Sequence, residues 1–106
     1  MARYLVRATY TADGVRGLLK EGGTSRRETI KTLIEKLGGS LESFHFAFGK
    51  EDVYVMVDLP DDASAAAVSL AVSASGAVRS EVVVLLTPEE IDEASRKTVD
   101  YRAPGA

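Results

Sequence analysis

Cysteine is absent from all 106 residues. That excludes disulfides, thiolate nucleophiles and zinc sites of the Cys type, and it is compatible with a reducing compartment. Histidine occurs once, at His45, and proline three times. A lone histidine with no spaced partner is a weak basis for a metal site, so no metal and no cofactor are expected. No apolar run approaches the roughly 20 residues that span a bilayer. The opening segment Met1-Ala2-Arg3-Tyr4-Leu5-Val6-Arg7 has a strand-like pattern in place of an uninterrupted signal-peptide core. A cytoplasmic protein without membrane contact is the expectation. The basic stripe that a nucleic-acid backbone requires is also missing, since the net charge is −3.

What is present suits a globular domain: 45% of residues are hydrophobic and 27% charged. The length fits one domain, expected over residues 1–100, with 101–106 as an extended tail. From Arg3 to Tyr10 the chain alternates, Tyr4, Val6, Ala8 and Tyr10 facing one way and Leu5, Arg7 and Thr9 the other, which predicts a strand. Thr11-Ala12-Asp13-Gly14 is a turn or the start of a short helical piece that Gly22-Gly23 breaks. Ser25 and Glu28 have capping-box spacing, and Ile30, Leu33, Ile34 and Leu37 form one apolar stripe, so a helix is predicted from Ser25 to the Gly38-Gly39 stop.

Phe44, Phe46 and Phe48 alternate with Ser43, His45 and Ala47. Val53, Val55, Val57 and Leu59 alternate with Tyr54, Met56 and Asp58. The short connection Gly49-Lys50-Glu51-Asp52 makes these two strands antiparallel neighbours. A second helix is expected from Ala63 to Ser75, capped by Asp61 or Asp62. It carries no charge, which suggests a contact on a second side. A strand from Val78 to Leu86 follows, with Val82, Val83, Val84 and Leu85 apolar on both faces. A last helix is capped at Thr87, with Pro88 and Glu90 in their favoured positions and Leu86 placed to staple Ile91. The order is β-α-β-β-α-β plus a helix: an α+β, ferredoxin-like split β-α-β fold with a four-stranded antiparallel sheet.

Such a fold covers one sheet face with helices. The faces bearing Tyr4, Val6, Ala8 and Tyr10, Phe44, Phe46 and Phe48, and Val53, Val55, Val57 and Leu59 are assigned to that core. The open face then carries Arg7, Thr9, Ser43, His45, Tyr54, Met56, Asp58, Arg79 and Glu81, with Val83 and Leu85. This mixture of apolar and ionisable groups points to a homodimer or higher homo-oligomer closed over a cavity. Arg7, His45, Tyr54 and Asp58 are the candidate ligand-binding residues, the ligand being a small molecule. His45 is the one side chain that titrates near neutrality unaided, and as a general base or anion ligand it competes with a purely structural histidine. Gly22 to Arg27 holds the ingredients of an anion site and equally those of an ordinary helix start. Asp61-Asp62 and Glu89-Glu90 read as caps. No catalytic set of residues is assigned.

The run Leu37-Gly38-Gly39-Ser40-Leu41-Glu42-Ser43-Phe44, then Phe48-Gly49-x-x-Asp52-Val53 and Asp58-Leu59-Pro60-Asp61, resembles the GYD-domain family of small bacterial proteins. Further matching pieces are Arg3-Tyr4-Leu5 with Tyr10-Thr11, Ala74 to Arg79, Leu86 to Glu90 and Tyr101-Arg102, so the likeness covers nearly the whole chain. Gly49 and Asp52 of the naming motif stand, but Glu51 occupies the place of its tyrosine. The resemblance implies a ferredoxin-like fold of the dimeric α/β-barrel type and brings no activity with it. Three functions are carried forward: a non-enzymatic or ligand-binding oligomeric module, a cofactor-independent oxygenase or isomerase using His45 and Tyr54, and a structural assembly protein whose contact is the charge-free helix.

Overall fold

The order of elements in the computed structural model, which describes residues 1–106, is β1 (Ala2–Tyr10), α1 (Ala12–Glu21), α2 (Gly23–Lys36), β2 (Ser40–Phe46), β3 (Val53–Leu59), α3 (Asp62–Ala74), β4 (Val78–Leu85) and α4 (Pro88–Ser95). The four strands form one antiparallel sheet in the order β2-β3-β1-β4, the expected split β-α-β architecture. Alternation along the strands decides which side is core. Tyr4, Ala8, Val53, Val55, Val57, Leu59 and Val78 are buried on one face, beneath Ile34 of α2 and Ala65 and Val68 of α3.

Local chemistry fixes most element ends. Thr11 caps α1, its side chain accepting from the Gly14 amide, and the Thr11 amide donates to the Ala77 carbonyl at 2.9 Å. Asp61, of the two aspartates, caps α3 by accepting from Ser64 N at 2.8 Å. At α4 the expected capping box forms: Glu90 N donates to Thr87 Oγ1, and Thr87 N donates to Glu90 Oε1.

The predicted capping box at Ser25 does not form. Helix α2 begins two residues earlier, at Gly23, with Gly22 as its cap residue and no side-chain cap. Gly22 alone separates α1 from α2. At φ 87° it turns the chain, and its amide still closes α1 onto Leu18 while its carbonyl opens α2 to Arg26. Ser25 thus lies inside the helix, where its carbonyl accepts from the Thr29 hydroxyl, and Glu28 pairs with Arg27.

Strand β2 also departs from simple alternation. A register shift between Leu41 and Ser43 brings Leu41 opposite Val57 and Phe44 opposite Val55, so both pack against the core. Phe44 and Phe46 meet edge to face at 5.2 Å. Phe46, at the end of an edge strand, is 41% exposed, and Phe48 lies past the strand and is wholly exposed. These two residues were expected in the core. Phe46 does meet the start of α2, its ring lying against Gly23, but it sits at the rim of the helical layer and keeps one side in solvent, while Phe48 lies beyond the strand altogether.

Val84, in the apolar run of β4, is also exposed, and no residue of α4 is buried. The extents of 55 × 34 × 23 Å and the radius of gyration of 16.9 Å record that projecting helix and tail. A compact chain of this length would have a radius of about 13 Å.

Candidate functional site

Strand register builds the open face in rows across the sheet. In the first, Arg3 stands opposite Asp58 on one side and Leu85 on the other, with Ser40 beyond Asp58. The next holds Ser43, Met56, Leu5 and Val83. A third holds His45, Tyr54, Arg7 and Glu81, and a fourth begins with Thr9 opposite Arg79. None of these side chains belongs to a buried residue, and all the buried strand residues face the other way.

Three of the four candidate residues therefore share one row: Arg7, Tyr54 and His45. Asp58 does not join them. It lies four residues from Tyr54 along β3, about 13 Å in an extended strand, with Met56 between. Asp58 is held instead by Arg3, whose Nε donates to Oδ1 at 3.0 Å and whose Nη2 donates to Oδ2 at 3.3 Å. That bond keeps the Asp58 carboxyl below its ordinary range. Alternation alone could not find this pair, because it depends on the register of two strands 55 residues apart.

Arg7 donates from Nη2 to Glu81, while its Nε is buried with no hydrogen-bond partner. Beside it lies a polar hollow of about 410 Å³ lined by Arg7, Thr9, Lys50, Glu51, Arg79 and Glu81, among others. Thr9 donates its hydroxyl to Glu51 Oε2 at 2.7 Å. Neither Lys50 nor Arg79 forms an ion pair. The loop that supplies Lys50 and Glu51 is anchored to β1 by Asp52: its side chain accepts from the Tyr10 amide at 2.9 Å, and its own amide donates to the Ala8 carbonyl at 2.9 Å. Residues 49–52 therefore overlook the Arg7 end of the open face.

A family model, that of the GYD domain, matches residues 4–95. The chain belongs to the GYD-domain family. Comparisons with curated proteins and with solved structures return no match. In this GYD domain Asp52 ties the loop to β1, and Glu51 contributes a carboxylate to the hollow. No three His, Asp or Glu side chains of the domain cluster as metal ligands would, and no helix is long and apolar enough to cross a membrane.

Proposed function

We propose that this GYD domain is a homodimeric small-ligand-binding module in which the open faces of two copies close over a shared cavity. One observation carries the reading. Leu5, Met56 and Val83 form an apolar row through the middle of a sheet face that no element of the chain covers. Apolar area left in water on a central sheet face costs roughly 25 cal/mol for each Å² that a partner could bury. A second copy supplies a matching face by two-fold symmetry. The charged rows on either side then rim the cavity and orient what it holds.

Sedimentation equilibrium tests this. The native chain is expected to be a dimer, and Met56→Glu a monomer whose circular dichroism is unchanged. A Met56→Glu protein that still dimerises would sink the open-face interface.

The alternative of a cofactor-independent isomerase or oxygenase draws support from the alignment of His45, Tyr54 and Arg7 in one row. A base, a phenol and a cation side by side can move a proton and hold the resulting anion. Any turnover found should be abolished by His45→Ala, and activity surviving that change would remove this reading.

A further inference from the structure

We propose that the ligand of the open face is a small monocarboxylic acid with a short apolar body, its carboxylate seated in the Arg7–Arg79–Lys50 hollow. The inference rests on the open-face reading above and adds the chemical class of the occupant.

Charge selects a monoanion. Three cations, Arg7, Lys50 and Arg79, line the hollow against two carboxylates, Glu51 and Glu81. Glu81 is already bonded to Arg7 and Glu51 to Thr9, whereas Lys50 and Arg79 have no ionic partner. One uncompensated positive charge remains, enough for a monoanion and too little for a phosphate dianion or a dicarboxylate.

Geometry selects a carboxylate. The Arg7 guanidinium has spent Nη2 on Glu81, but its Nε is buried without an acceptor, a costly state for a donor next to a hollow. A planar, two-oxygen acceptor can take that N–H with one oxygen and reach Arg79, the exposed neighbour on β4, with the other. Lys50 adds a point charge from the loop.

Row spacing selects the body. The Leu5–Met56–Val83 row lies two residues along the strands from the Arg7 row, a step of about 7 Å. An acid whose apolar part lies about that far from the carboxylate would reach that row past Tyr54, which stands opposite Arg7. Arylalkanoic acids and medium-chain fatty acids have this shape.

The test uses 3-phenylpropionate, 3-phenylpropanol and phenyl phosphate with the full chain, read by calorimetry and by amide chemical-shift mapping. The acid is expected to bind, to move amides of β1, β3 and β4, and to bind at least tenfold more tightly than either the alcohol or the phosphate. Arg79→Gln should weaken the acid at least tenfold and leave the alcohol unchanged. Arg79 is exposed at a strand position, so this variant is expected to keep the native spectrum and the native oligomer. Equal affinity for acid and alcohol, preference for the phosphate, unaltered acid binding by Arg79→Gln, or no binding of the acid would each overturn the carboxylate assignment. If Met56→Glu nonetheless yields a monomer, the open-face interface survives that failure. Shifts confined to residues off the open face would overturn both.

Discussion

Tyr4 is 1% exposed, and its hydroxyl donates to Asp62 Oδ1 at 2.6 Å, fastening β1 to the first turn of α3. That hydrogen bond, with burial and the nearby negative charge, pushes the phenol up from 10.0 to about 12. A raised folded pKa makes the bond's contribution complete below the ordinary value and lost as pH rises through the folded one. The urea midpoint should therefore fall between pH 10 and 12, and Tyr4→Phe should flatten that fall while lowering the midpoint at neutral pH. The acid side has the opposite sign. Arg3 depresses Asp58, and the Ser64 hydroxyl and amide depress Asp61, so their contributions hold above 3.8 and disappear as pH drops through the lower folded values. In the same urea series Asp58→Asn should show a shallower acid limb, and an unchanged limb would place the Arg3 pair outside the stability of the fold. Gly14 poses a contest of magnitudes. Alanine favours a helix interior over glycine by about 1 kcal/mol. A Cβ on Gly14, however, would sit far inside van der Waals contact with the Ala77 carbonyl oxygen, which is backbone and cannot swing aside. Overpacking of this kind costs about 1–3 kcal/mol, so Gly14→Ala should destabilise in thermal unfolding.

Helix α3 differs from its neighbour in how it is covered. Residues 63–75 carry no charge, and Ala65 and Val68 are buried on the sheet while Leu70 is 72% exposed. Between α3 and α2 runs an open groove of about 820 Å³, floored by Leu33, Leu37 and Val68 and flanked by Ala67 and Ala71. If the charge-free helix were the contact of an assembly protein, a charge at Ala71 would break the oligomer. Under the open-face reading Ala71→Glu should leave the dimer whole and Met56→Glu should split it, and light scattering on the two variants separates the alternatives. The opposite pattern would transfer the interface to α3. Strand β2 shows how one irregularity redirects an element. Without the shift between Leu41 and Ser43, Leu41 would face the open side with Ser43; with it, Leu41 joins Phe44 on the core. His45 keeps its place opposite Tyr54 because the shift lies before it in the strand.

For the whole molecule, the packed body ends at β4, and α4 with the residues after it adds length without burying any residue. A chain ending at Leu86 should therefore keep cooperative thermal unfolding close to that of the full chain. Loss of the transition would mean that the arm completes the core. With only 11 of 106 residues buried, the lone chain leaves a full sheet face and a projecting arm uncovered. That shape is why association is the leading proposal for this GYD domain.

The sequence by itself determined the β-α-β-β-α-β order, leaving the stretch that became α1 open between a turn and a helix, together with the capped starts of α3 and α4 and the two faces of β1 and β3, because alternation and capping are local and each residue type acts within a few positions of itself. It also held the GYD likeness and the open-face set containing Arg7, His45 and Tyr54. Only the tertiary structure decided which of those residues stand together. Register across β2-β3-β1-β4 joined Arg7, Tyr54 and His45 and gave Asp58 to Arg3. The Gly22 turn let α2 start early, placing Gly23 against one side of the Phe46 ring at the rim of the helical layer, and Phe48, past the strand, stayed in solvent. The hollow of Arg7, Lys50 and Arg79 exists only where a loop anchored by Asp52 meets two strands. Contacts between residues far apart in the chain have no local signature, so no reading of neighbours along the sequence could have assembled it.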